Sequence, residues 1–376
     1  MEVIVHIGCP SEIKNHEYRV GLTPASVHTY VDNGHTVYIQ KGAGQGSDIA
    51  DEEYIQAGAI ILPTAADVWE QSDMIVKVKE PLPAEYPLMR PGQLVYTYFH
   101  FAASHKLTKA CMDSKITALA YETVQEDNGL LPLLKPMSEV AGRMAPLMGA
   151  FYLGRPRGGR GVLPTGVPGV LPANVVVIGG GTVGANAARV AAGLGARVTI
   201  LDINHTILEH LGNIMPANVF PVYSDHINLK RALERADLVI GAVLIPGAKA
   251  PKLITRSLLR CMRPGAVIVD VAIDQGGCTE TSVPTTHDDP VFEEEGIVHY
   301  CVSNMPGAYA RTSTFALNNA TIKYGLQLAN KGVEKACTEN RALMRGLNIY
   351  KGTLTCEPVA EAFTMQKVCR LAGDLF

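Results

Sequence analysis

Along the first third of the chain the apolar positions fall in short runs separated by polar, helix-forming stretches. Val3 to Gly8, Thr36 to Gln40, Met74 to Val78, Leu94 to Phe99 and Thr117 to Tyr121 read as strands. Between them, Pro24 to Asn33 and Asp51 to Gly58 carry helical patterns opened by Thr23 and Asp51 as N-caps. Strands alternating with helices predict a mainly parallel sheet with helices packed on its faces.

From Met137 the period changes. Val140, Met144, Leu147, Met148 and Phe151 recur at helical spacing, with Pro146 as a potential kink. After a Gly- and Arg-rich loop, six strands richer in Val and Ile follow: Val175 to Ile178, Arg197 to Leu201, Asn218 to Val222, Leu238 to Ala242, Ala266 to Val271 and Ile297 to Val302. Near-continuous apolar strands have both faces covered, and six with short helical connections fit the doubly wound order 3-2-1-4-5-6. Beyond Met305 the pattern reads as helical to the end. The expected fold class is α/β: two Rossmann-like doubly wound parallel-sheet domains. A dinucleotide-binding domain, 137–305, is inserted into a discontinuous substrate domain, 1–136 and 306–376. The active site is expected in the cleft between them.

The 376-residue length agrees with two domains at ~100 to 200 residues each. Lys and Arg number 33 against 36 Asp and Glu, so no basic footprint for nucleic acid or an anionic membrane is present. The charge-free stretch from Gly161 to Ala188 is broken by Pro164, Pro168, Pro172 and many glycines, which excludes a spanning helix. Glu12, Lys14, Glu17 and Arg19 interrupt the N-terminus too early for a signal peptide, so a cytoplasmic location is expected. The eight cysteines show neither a CxxC pair nor zinc-site spacing, and read as reduced thiols with no metal.

The strand ending at Ile178 runs into Gly179-Gly180-Gly181-Thr182-Val183-Gly184 and then a helix. In a dinucleotide fingerprint the first glycine makes the turn, the second admits the pyrophosphate and the third lets helix and strand pack. The helix N-terminus supplies N–H groups and partial positive charge. The next strand ends at Asp202, about where the fingerprint needs an acid for the ribose hydroxyls. A carboxylate there repels a 2′-phosphate, so NAD is expected over NADP.

Four polar residues stand out in apolar or strand-ending settings. Arg19 either pairs with Glu17 on the surface or holds a substrate carboxylate in a bidentate contact. Lys77 and Lys79 share one side of a strand by period two, one functional and the other a solvated face residue; the position before Pro81 favours Lys79. His100 ends another strand and is either a structural histidine or the proton carrier of a cleft. Asp274 closes the valine-rich run AVIVDVAID and puts a carboxylate at the fifth strand's end on the cofactor side. Together they make a carboxylate binder, a proton carrier and an NAD site, the set needed to oxidise a small amino or hydroxy acid.

The chain also resembles the L-alanine dehydrogenase family along nearly its whole length. EIKNHEYRVGLTP (12 to 24), VKVKEPLPAEY (76 to 86), HFAAS (100 to 104), LPLLKPMSEVAGR (131 to 143), DLVIGAVLIPGAKAPKL (237 to 253), VDVAIDQGGC (269 to 278) and NMPGA (304 to 308) carry the likeness. The resemblance implies that Arg19 and Lys79 bind substrate and that His100 and Asp274 act in proton transfer. It implies an NAD site lined by Ser138, Gly179, Gly181, Thr182, Val183, Gly184, Asp202, Ser224, Val243, Leu244, Val271, Ile273, Asp274, Asn304 and Met305. It further implies reversible conversion of L-alanine to pyruvate and ammonium by a homohexamer. The resemblance extends to the NAD-binding subunit of transhydrogenase, and an NAD-dependent regulator is a third reading. The sequence departs from the family pattern at Pro164-Thr165, at Tyr309-Ala310, and at Ile207, where a basic residue is frequent.

Overall fold

A computed structural model describes residues 4–243 and 250–376. The chain divides into two compact units, Met1–Met137 with Gly307–Phe376, and Ser138–Pro306.

The first unit begins with six parallel strands: β1 (His6–Cys9), β2 (Thr36–Gln40), β3 (Ile60–Leu62), β4 (Met74–Val76), β5 (Leu94–Thr97) and β6 (Thr117–Ala120). The second contains β7 (Asn174–Ile178), β8 (Arg197–Asp202), β9 (Val219–Tyr223), β10 (Leu238–Gly241), β11 (Val267–Asp270), β12 (Val291–Glu294) and β13 (Ile297–Tyr300). The chain then returns to the first sheet with β14 (Leu347–Tyr350) and β15 (Thr353–Leu354).

The sheet orders are β15-β14-β6-β5-β4-β1-β2-β3 and β12-β13-β11-β10-β7-β8-β9. Without their antiparallel edge strands, β14–β15 and β12, both are the doubly wound order expected for the fold class. Each therefore reverses direction once, between β1 and β4 in one unit and between β7 and β10 in the other. Such switch points leave a crevice beyond the carboxyl ends of the strands.

The two faces of the second sheet explain its valine-rich strands. Val175 and Val177 enter one buried cluster with Val198, Ile200 and Leu238, while Val176 and Ile178 enter another with Leu201, Val239 and Ile268. Each fully buried side chain of this kind contributes ~1.5–3 kcal/mol.

Several local expectations change. Thr23 caps its helix, accepting from the Ser26 N–H at 3.3 Å. The cap before the next helix is Ala50, not Asp51, which is already helical and accepts from the Gly42 N–H at 2.9 Å. The helix Lys135–Tyr152 continues through Pro146. The tail is not helical throughout: β14 and β15 form a hairpin on Lys351 and Gly352, both at positive φ, and β14 pairs antiparallel with β6. The short strand LNIY follows three helices in succession, Ala310–Lys331, Val333–Glu339 and Arg341–Gly346. In the same way β12 and β13 turn on Glu295 and Gly296 at positive φ.

Candidate active site

In the first unit Arg19, Lys79 and His100 follow β1, β4 and β5, so all three lie beyond carboxyl ends flanking or next to the switch point. Arg19 is 2% exposed and does pair with Glu17, though in the interior and not at the surface. Its Nε donates to Oε1 at 2.6 Å and its Nη2 to Oε2 at 2.5 Å, while Nη1 lies 3.1 Å from the Met137 Sδ. Burial opposes the guanidinium charge, but the Glu17 carboxylate outweighs it and raises the Arg19 pKa. The bidentate fork to Glu17 fixes the orientation of the guanidinium plane.

The regular part of β4 stops at Val76, so Lys77 and Lys79 do not share a pleat. Lys77 is not solvated: it is fully buried, with Nζ 2.9 Å from Glu85 and 3.2 Å from Glu12. Burial opposes its charge, and the two carboxylates, Glu12 first, more than offset that, so its pKa rises. Lys79 is 9% exposed, and its carbonyl accepts from Thr97 Oγ1 at 3.0 Å.

His100 is exposed, has φ 50°, and opens the turn Phe101–Ala103. Its ring stacks on Tyr98 at 6.0 Å, and its N–H donates to Glu122 at 2.6 Å. Tyr98 is itself buried, donates its hydroxyl to the Leu133 carbonyl at 2.5 Å, and feels the Arg19 charge. Tyr98 thus backs the His100 ring from a buried, hydrogen-bonded position, and is a residue that sequence reasoning missed. Its signal is the alternation in LVYTYFH, which puts an aromatic ring two residues before the histidine.

In the second unit the glycine loop joins β7 to the helix Thr182–Gly193, with Gly181 as N-cap. Gly179 has φ 100°, which excludes a side chain without strain. A Cβ on Gly184 would sit 1.8 Å from the Gly179 oxygen, so glycine is needed for the close approach of helix and turn. Gly181 differs: φ is −68° and a Cβ there would meet nothing within 4 Å. Neither backbone nor neighbours require glycine at this exposed position, but a phosphate on the helix N-terminus does. The residues present therefore fit a dinucleotide.

Asp202 ends β8 and accepts from the Gly180 N–H at 2.6 Å and the Asn204 N–H at 2.8 Å, so this acid braces the glycine loop. Ile207 is packed at this corner, where a Cβ on Gly180 would meet its Cγ2 at 2.7 Å. Ser224 follows β9 and donates its N–H to the Asp202 carbonyl at 2.9 Å. Val243 follows β10, and Leu244 lies outside the described residues. Asn304, at φ 61°, and buried Met305 follow β13, and half-buried Ser138 is on the helix Lys135–Tyr152.

The fifth-strand carboxylate needs a correction. β11 ends at Asp270, and Asp274 stands four residues further on, exposed on the turn Val271–Gln275 that also carries Val271 and Ile273. Asp270 is fully buried and accepts from the Ala272 N–H at 3.1 Å, the Cys278 N–H at 2.9 Å and the Ser282 hydroxyl at 2.5 Å. It ties down both ends of the turn that presents Asp274. The first acid of AVIVDVAID, set among valines, is the sequence signal for that buried acceptor.

Among the described residues no His, Cys, Asp and Glu cluster is placed to hold a metal, and no helix is long and apolar enough to cross a membrane.

A glycine loop with an acid at the next strand's end on one doubly wound sheet, and two cations and a histidine after strands of another, are in keeping with a nicotinamide-dinucleotide oxidoreductase. Family models agree with that class: "Alanine dehydrogenase/PNT, N-terminal domain" matches residues 8–141 and "Alanine dehydrogenase/PNT, C-terminal domain" matches residues 145–357. The chain belongs to the alanine dehydrogenase/PNT family. It is 56% identical to an alanine dehydrogenase of Methanococcus maripaludis, covering 95% of this chain and 96% of the relative. An alanine dehydrogenase of Mycolicibacterium smegmatis is 55% identical, covering 94% and 96%. Among solved structures, an L-alanine dehydrogenase superposes with TM-score 0.93 at 52% identity, covering 96% of this chain and 99% of that one. A transhydrogenase from Sinorhizobium meliloti gives 0.81 at 25% identity, covering 93% and 100%.

Proposed function

We propose that this protein catalyses the reversible NAD-dependent oxidative deamination of L-alanine to pyruvate and ammonium. The observation that carries the reading is full-length identity above half to relatives named alanine dehydrogenase, in a chain with Arg19, Lys79 and His100 beyond adjacent strand ends. In this reading the first unit binds substrate and the second binds the dinucleotide.

Arg19, stiffened by its fork to Glu17, holds the substrate carboxylate, and Lys79 binds the carbonyl or amine end. The dinucleotide, when bound, supplies the hydride acceptor. Oxidation at the α-carbon leaves an imine, which water hydrates before ammonia departs. His100 takes and returns the protons of these steps, a contribution of ~10² to 10⁴ in rate. Asp274 assists proton transfer and stabilises the cationic iminium. The glycine loop Gly179, Gly181 and Gly184 with Thr182 and Val183 cradles the pyrophosphate, and Asp202 accepts from the ribose hydroxyls and selects NAD over NADP. Ser138, Ser224, Val243, Leu244, Val271, Ile273, Asn304 and Met305 complete the NAD site. The family resemblance supports a homohexamer in the cytoplasm, acting without nucleic acid or membrane.

The test is to mix the protein with L-alanine and NAD and follow NADH absorbance. A rise without any partner protein is expected. No rise, with NADH binding intact, overturns the reading in favour of a transhydrogenase-like subunit or a regulator.

A further inference from the structure

We propose that Glu12 is a positioning residue for substrate binding, acting by holding the main chain that presents Lys79; the inference rests on the assignment of Lys79 to the substrate. The Glu12 side chain is 2% exposed in the loop after β1. Its Oε1 accepts from the Val78 N–H at 2.6 Å and the Lys79 N–H at 3.3 Å. Its Oε2 is 3.2 Å from the Lys77 Nζ, which Glu85 engages at 2.9 Å on its other side.

This arrangement replaces a missing strand. β4 stops at Val76, and the Lys77 N–H still donates to the Tyr96 carbonyl of β5 at 3.1 Å. At the next two residues the Glu12 carboxylate accepts from the main-chain N–H groups, while the Val78 carbonyl still accepts from the Tyr98 N–H at 3.3 Å, so the chain runs past the end of β4 without burying an unpaired donor. From the opposite side Thr97, fully buried on β5, donates to the Lys79 carbonyl at 3.0 Å. The Lys79 peptide is thereby gripped at its N–H by Glu12 and at its carbonyl by Thr97. Lys77 fixes the other end of the carboxylate: its Nζ faces Oε2, so the side chain is held between that cation and the two main-chain N–H groups, while burial, opposed by the Lys77 charge, still leaves the Glu12 pKa raised. A cation that must meet a substrate oxygen is sensitive to sub-ångström shifts of its own backbone.

The test uses the full chain and steady-state kinetics with pyruvate, ammonium and NADH. Glu12→Leu keeps volume and loses both oxygens, whereas Glu12→Gln keeps one oxygen for the Val78 and Lys79 amides; in both, Lys77 retains Glu85. Glu12→Leu is expected to raise the pyruvate KM about tenfold or more, with NADH binding unchanged, and Glu12→Gln to recover most of that loss. Thr97→Val, which removes only the hydroxyl grip on the Lys79 carbonyl, is expected to raise the pyruvate KM in the same direction and reads the same main chain if Glu12→Leu does not fold. A wild-type pyruvate KM in Glu12→Leu or in Thr97→Val overturns the proposal, as does an equal loss of pyruvate and NADH binding. Lys79→Met separates the two claims: a wild-type pyruvate KM there means that the substrate assignment of Lys79 has failed, whereas a raised one with Glu12→Leu silent means that the positioning role has failed.

Discussion

Replacing Gly181 by Ala separates cofactor chemistry from folding at a single carbon atom. The new Cβ would meet no protein atom within 4 Å, and φ of −68° suits any residue. Reduced freedom of the unfolded chain favours Ala by about 0.4–1 kcal/mol, while Ala is the poorer N-cap by a similar amount. The net change in stability is therefore within about 1 kcal/mol, a melting shift of a few degrees. Binding is another matter, because the methyl group occupies the side of the loop from which a pyrophosphate must approach the helix N–H groups. Losing one such charge-assisted hydrogen bond costs ~1.5–3 kcal/mol, or roughly 10- to 150-fold in Kd. Gly184→Ala is the contrasting control: its Cβ would collide with the Gly179 oxygen at 1.8 Å, so the fold itself must give way. The assay is NADH fluorescence titration beside thermal unfolding of both variants. Wild-type NADH affinity in Gly181→Ala would refute the reasoning, because the open side of the loop would then not be where phosphate binds.

Other outcomes follow from the same geometry. His100→Ala keeps NADH affinity and loses ~10² to 10⁴ in alanine turnover; unchanged oxidation removes His100 from the chemistry. Asp270→Ala orphans two buried N–H groups at ~1–3 kcal/mol each and frees the half-buried Ser282 hydroxyl, so stability falls by at least about 2 kcal/mol, with Asp270→Asn milder; a neutral Asp270→Ala contradicts the account of the Asp274 turn. His299 is buried between Thr281 and the Ile297 carbonyl, and burial lowers its pKa. The unfolded chain therefore takes up its proton first as pH falls through about 6.5, and stability present above that value is lost until the folded group also titrates. Melting temperature measured between about pH 7 and pH 5 should fall less steeply in His299→Gln, and an identical slope excludes His299 as the cause.

The glycine fingerprint, the acid of β8 and the valine-rich strands were legible because each is a local rule: a turn that needs glycine, a period, a spacing. Arg19, Lys79 and His100 were legible as strand-end residues for the same reason. What local rules could not convey was pairing across the fold. Lys77 reads as a solvated neighbour of Lys79 until Glu12 and Glu85 close around it from loops distant in sequence. Asp274 reads as the end of a strand because valine and isoleucine favour continuation, yet the strand stops where Asp270 finds three donors. The β14–β15 hairpin reads as helix because a strand at a sheet edge is only as stable as the partner it finds, and that partner, β6, lies far earlier in the chain. The amino-acid order by itself determined the two doubly wound sheets, the glycine loop and the candidate cations and histidine, since these depend on backbone preferences and side-chain periodicity. Only the tertiary structure decided which charges are buried and paired, which carboxylate braces a turn and which stands exposed, and where strands end, since burial and hydrogen bonding are settled between segments that the sequence keeps apart.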